Sequence, residues 1–189
     1  IDAPLGWPQA MSDALLEHRA GERIPTPRDC LFRRLTDVDV RERTGKIPLE
    51  VGAEKLAHAA HHALDLLGEL RKKSDCAIPL AWSPDDGPHM AIEVYPGGTL
   101  AGYGLPSTGY KKEKGDGQSA LRARRQIAAK FEVRLKGISK FCESPADVFD
   151  ACLCLLSALD FLNNECPAPE PAVKGTVSRE GWIWVRSRE

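Results

Sequence analysis

Four acidic residues stand out for where they fall: Asp2, Glu93, Asp147 and Asp150. Asp2 follows Ile1 and precedes Pro4, while Glu93 lies inside Met90-Ala91-Ile92-Glu93-Val94-Tyr95, directly before Pro96. A charge within an apolar strand is costly unless it is paired or holds a cation. Proline removes a ladder donor, so both predicted strands stop at once and each acid falls near a strand's carboxyl end. In open α/β sheets that edge is where ligands bind. Asp147 and Asp150 stand three apart on a predicted helix and share a face. Separated oxygen donors of this kind suit hard divalent cations such as Mg²⁺ or Mn²⁺. The structural alternative gives Asp147 a charge role at a helix N-terminus and Asp150 a salt bridge.

Other residues admit two readings each. Arg34, Thr36, Asp37 and Arg41 form a cluster in which Arg34–Asp37 and Asp37–Arg41 have helical pair spacing, so they pair or else clamp a substrate. Between Tyr110 and Lys140 ten Lys or Arg residues face three acids, a local charge of +7 within a chain of net charge −1. Lys111, Arg122, Arg124 and Arg125 from that stretch can hold backbone phosphates, or simply solvate a helix. Tyr110 among lysines can stack on a base or fold onto its own loop. His58 and His62, four apart and followed by Asp65 and Glu69, have spacing that can coordinate Zn²⁺. Ala59 stands where a metalloprotease helix carries Glu, and a solvated helix face is the plainer account. Trp182 and Trp184 read as packing.

The elements that must position these groups follow from periodicity and breakers. Helices are expected over residues 9–20, 29–43, 53–73, 119–136 and 145–163. The clearest has Leu56, Ala60, Ala63, Leu64, Leu67 and Leu70 in one stripe. The last opens with Ser144 as N-cap and Pro145 at the first helical position. Strands are expected at residues 90–95, closed by Pro96-Gly97-Gly98, and at Trp182–Val185; residues 166–175 read as a Pro-rich loop.

At 189 residues, 42% hydrophobic and 28% charged, the chain has the makings of one globular domain spanning residues 1–189. No apolar run nears the ~18 residues of a membrane span. Six cysteines without metal-knuckle spacing, and no signal peptide, point to a reduced, cytoplasmic protein. The near-neutral net charge predicts no strong whole-molecule steering toward nucleic acid.

Taken in order, several short motifs resemble one family. Ile1-Asp2-Ala3-Pro4-Leu5-Gly6, Arg34-Leu35-Thr36-Asp37 and Arg41-Glu42-Arg43-Thr44-Gly45 are followed by Glu93-Val94-Tyr95-Pro96 and Gly109-Tyr110-Lys111. Asp147-x-x-Asp150-Ala151 and Glu180-Gly181-Trp182-Ile183 complete the set. Together they are similar to domain of unknown function 429, a family of predicted nucleases with a ribonuclease H-like fold. The resemblance implies an α/β mixed sheet flanked by helices, whose Asp2, Glu93 and Asp147 or Asp150 bind metal. The family opens with a three-stranded meander carrying a further Asp, so the resemblance implies first strands that either lie upstream of Ile1, missing from the sequence given, or have been lost. A sheet edge so exposed would invite oligomer pairing.

The implied chemistry is two-metal hydrolysis of a phosphodiester in nucleic acid, with two Mg²⁺ or Mn²⁺ ions activating water and stabilising the leaving oxygen. Arg34, Asp37, Arg41, Tyr110, Lys111, Arg122 and Arg125 are the expected substrate contacts. A non-catalytic nucleic-acid-binding or regulatory module keeping the same fold is the rival. Phosphoryl transfer to a small molecule is a third reading, supported only by the weak Gly97-Gly98 signal.

Overall fold

A computed structural model describes residues 8–17, 19, 26, 28–50, 54–111 and 118–188; Asp2 lies outside them. The described residues are mainly helical. Helices α1 (Gln9–Glu17), α2 (Arg28–Phe32), α3 (Leu35–Thr44) and α4 (Glu54–Ser74) come first. They are followed by α5 (Pro96–Gly102), α6 (Gln118–Phe131), α7 (Ala146–Leu162) and α8 (Lys174–Glu180). Short 3₁₀ turns occupy Ile138–Phe141 and Pro171–Val173.

The expected ribonuclease H-like mixed sheet is overturned. Among the described residues there is no β-strand, only the isolated parallel bridges Leu80↔Ala91 and Glu93↔Ile183. The physical reason lies in the backbone donors. Prolines 79, 84, 88 and 96 withhold N–H groups around the 90–95 stretch, so pairing cannot propagate beyond single residues. At the other end, the Ile183 N–H is taken by the Thr36 hydroxyl at 2.7 Å and is lost to any neighbouring strand. Apolar, β-branched composition made both segments look like strands, and both run extended without a ladder.

The chain forms two compact units: Ile1–Arg41, Ile47–Glu93 and Ala168–Ile183 make up the first, and Glu42–Lys46, Val94–Pro167 and Trp184–Glu189 the second. In the first, α1 packs against α2 and α8. The long α4 spans nearly the predicted residues, but its stripe is not sealed: Leu64 and Leu70 remain 38% and 44% exposed. Leu64 and Leu67 line a cavity of about 600 Å³ together with Leu80 and Trp82.

The second unit holds the tighter core. Phe149, Cys152, Leu153 and Leu156 recur along one face of α7 and meet Ile127, Ala128 and Phe131 of α6. Ser144 does not cap α7; Pro145 holds the cap position, with no side-chain hydrogen bond there. Helix α5 packs on α7, where the sequence predicts only the Pro96-Gly97-Gly98 close of a strand. Its Pro-Gly-Gly start has poor helix propensity. Close approach selects it instead: a Cβ on Gly102 would lie 2.8 Å from the backbone oxygen of Arg186. The Thr99 and Ser157 hydroxyls, 2.6 Å apart and buried, tie α5 to α7.

Leu153 is fully buried and Leu155, two residues on, is 57% exposed. Leu153→Ala is expected to lower unfolding free energy by about 2–5 kcal/mol through lost burial and a cavity. Leu155→Ala is expected to stay within about 0.5 kcal/mol. Urea unfolding followed by circular dichroism measures both.

Candidate functional site

Arg34 sits in the two-residue break between α2 and α3, with 1% of its surface exposed. A guanidinium there must have every charge and donor answered. Its Nη2 donates to Glu93 Oε1 at 2.8 Å and to Asp37 Oδ1 at 3.1 Å. Its Nη1 donates to Glu93 Oε2 at 3.0 Å and to the backbone oxygen of Glu180 at 3.1 Å. Glu93 is therefore gripped by a two-pronged, charge-assisted pair. The local sequence explains the position of Asp37: the Arg34 N–H donates to Asp37 Oδ2 at 2.9 Å, closing the turn that begins α3.

Glu180, the last residue of α8, joins the same network and is 3% exposed. Its Oε1 accepts the Gln9 N–H at 2.6 Å and its Oε2 the Leu35 N–H at 2.8 Å. Gln9 and Leu35 are the first residues of α1 and α3. One carboxylate thus meets the donor-rich, partly positive ends of two helices at once. In the sequence Glu180 stands within a motif but has no evident role; the signal that could have found it is an acid directly before the apolar run Gly181-Trp182-Ile183-Trp184-Val185.

The electrostatics are lopsided. Burial works against the Arg34 charge, but Glu93 and then Asp37 outweigh it and drive its pKa upward. Burial pushes the Glu93 carboxyl up, with Arg34 only partly opposing and the Asp37 charge adding to the rise. The pairing therefore secures the cation more completely than it secures Glu93. One guanidinium is shared by two carboxylates, and Glu93 is the more open of them, at 17% side-chain exposure against none for Asp37. Arg41 of the same helix is exposed.

In the second unit, Asp150 accepts the Tyr110 hydroxyl at 2.9 Å and pairs with Lys111. Tyr110 is fully enclosed, its ring against Phe149, so its faces are not open to a stacked base as the sequence suggested. Burial and then the Asp150 charge push its phenol well up. Arg124 is also buried, donating to the backbone oxygens of Tyr110, Cys142 and Ser144. It is a fastener of loops and not a phosphate ligand. Arg122, Arg125 and Asp147 are exposed, with Arg125 paired to Glu143 at 2.8 Å. Glu93 belongs to the first unit and Asp147 and Asp150 to the second.

A further buried charge group in the second unit was not anticipated. Asp160, 1% exposed, accepts the Tyr103 hydroxyl at 2.6 Å and Arg134 Nη2 at 3.0 Å through the same oxygen. Among the described residues its Oδ2 is buried without a hydrogen-bond partner. Arg186 lies over the Tyr103 ring at 4.1 Å, and Glu165 pairs with Arg134 and Arg186. Burial, against the Tyr103 hydrogen bond, pushes the Asp160 carboxyl from 3.8 up to about 6.

The family model described as Protein of unknown function (DUF429) matches residues 1–174, and the chain belongs to that family. No curated protein and no solved structure matches it. No described helix is long and apolar enough to cross a membrane.

Two outcomes are expected. Arg34→Ala leaves Glu93 and Asp37 buried without their cation and should cost about 3–5 kcal/mol, measured by urea unfolding. The second concerns pH. A carboxyl whose pKa is raised by folding favours the folded state when protonated, and that advantage fades as pH rises from about 3.8 through about 6. The urea midpoint of Asp160→Asn should therefore fall less than that of the parent between pH 4.5 and 7. Equal slopes would show that Asp160 does not titrate there.

Proposed function

We propose that this chain hydrolyses phosphodiester bonds of nucleic acid using a divalent cation held at Glu93. The observation that carries the proposal is the sharing of Arg34 by Asp37 and Glu93. Among the described residues it leaves one negative charge without a matching cation, and that charge falls on the more exposed of the two carboxylates. A cation is the natural complement of such a carboxylate. The donors are carboxylate oxygens, the chemistry that Mg²⁺ and Mn²⁺ take, and Glu93 would hold the ion with Asp37 behind it. When bound, such an ion supplies an activated water and charge stabilisation at the leaving oxygen. Arg34 fixes the direction of both carboxylates, and the buried hydrogen bonds of Glu180 hold that break between helices in place. In the second unit the exposed Arg122 and Arg125 on α6, with Lys111, offer contacts for backbone phosphates.

A non-catalytic nucleic-acid-binding module is the second reading. The observation favouring it is that resident cations already engage both acids, Arg34 on Glu93 and Lys111 on Asp150. Under that reading, nucleic acid binds and stays whole.

The test is cleavage of single- and double-stranded DNA and RNA with Mn²⁺ or Mg²⁺, comparing the parent with Glu93→Gln. Glutamine keeps an oxygen for Arg34 but loses the charge, so folding is checked alongside by circular dichroism. Metal-dependent cleavage should fall by roughly a hundredfold or more, the scale of several kcal/mol of lost charge stabilisation. Binding of the substrates without cleavage in any metal supports the second reading. Equal cleavage by both proteins sinks the role given to Glu93.

A further inference from the structure

Helix α4 carries a group of imidazole and carboxylate side chains remote in chemistry from the arginine-clamped acids. His61 and Asp65 are four apart, one turn along the same face, with Nδ1 and Oδ2 3.2 Å apart. The next residue, His62, turns its ring edge-on to that of His61, the centroids 6.1 Å apart at 84°. One ligating atom from each of His61, His62 and Asp65 lies within 4.8 Å of the other two.

We propose that His61, His62 and Asp65 form a binding site for a borderline divalent transition ion, of which Zn²⁺ is the representative. Tetrahedral Zn²⁺ takes nitrogen and carboxylate oxygen at about 2.0–2.2 Å, which sets neighbouring ligand atoms about 3.3 Å apart. The His61–Asp65 separation already matches that edge. His62 must close by up to about 1.5 Å to reach the same ion. Its side chain is exposed, as are those of His61 and Asp65 at 74% and 65%, so rotation meets little resistance. Two imidazoles with one carboxylate select Zn²⁺, Ni²⁺ or Cu²⁺ over Mg²⁺ or Ca²⁺, which want oxygen alone. Three protein ligands leave a tetrahedral ion one position for water or for a group from another molecule.

His58 separates this arrangement from a simpler one. It is four residues before His62 and exposed, so a His58–His62 pair could hold the ion without His61 or Asp65. Cys30 is exposed as well and offers a competing thiolate.

The experiment is calorimetric titration of the whole chain with Zn²⁺, Mg²⁺ being present in large excess. One saturable site is expected. Its affinity should fall roughly tenfold or more in each of His61→Ala, His62→Ala and Asp65→Asn, and change by less than about twofold in His58→Ala. All four positions are exposed on a helix, so the variants should fold like the parent, and circular dichroism confirms it. Co²⁺ provides an independent readout: a weak visible spectrum from nitrogen and oxygen ligands, lacking the intense near-ultraviolet band of thiolate coordination. Absence of saturable binding, affinity that depends on His58 but not His61 and Asp65, or a thiolate band would each overturn the assignment.

Discussion

The Arg34 guanidinium joins segments that are distant in sequence: its own helix start, the extended run at Glu93 and the end of α8. Burying a charge of this size is unfavourable until its partners are in place. The network therefore forms largely together or not at all, and α2, α3 and the 180–183 segment inherit their mutual arrangement from it. The same constraint sets the electrostatics of Glu93. Sharing one cation with Asp37 leaves it under-compensated, and burial raises its pKa despite the pair. A group left in that condition is where a ligand cation or proton has the most to offer.

The second unit is held by different physics. Its apolar faces on α6 and α7 close over one another, and its polar groups are placed at the margins of that core. Arg124 collects three backbone oxygens, while Tyr103 shares Asp160 with Arg134. Polar atoms here serve as joints between helices, where the first unit concentrates its buried charge around a single arginine.

Helices with strong periodicity were legible in the sequence: α4 and α7 start and stop within a residue or so of where their patterns and breakers put them. The sheet was not. Alternating and β-branched residues around Glu93 and Ile183 carry the composition of strands, but composition does not report whether a backbone donor is free to pair. Thr36 takes one such donor, a contact across 147 positions that no local pattern contains. Helix α5 failed in the opposite sense, because its glycines are selected by closeness to Tyr95, Val185 and Arg186, while locally Pro96-Gly97-Gly98 reads as the close of a strand. Of the candidate residues, Arg34, Asp37 and Glu93 converge, and Tyr110 with Lys111 meets Asp150. Spacing at three hinted at the Arg34–Asp37 pair. Nothing local could reveal that Glu93, 59 residues away, completes it.

The family match stops at residue 174, and Glu180 lies six residues beyond it. A fragment cut at that border would keep every motif acid from Asp2 to Asp150. It would also release the first N–H groups of α1 and α3, remove the backbone oxygen that answers Arg34, and free Thr36 from Ile183. The hydrogen bonds that tie down the first residues of α1 and α3 therefore reach past the segment that the family model matches, and a fragment drawn to that border would lose joints that its own motifs do not contain.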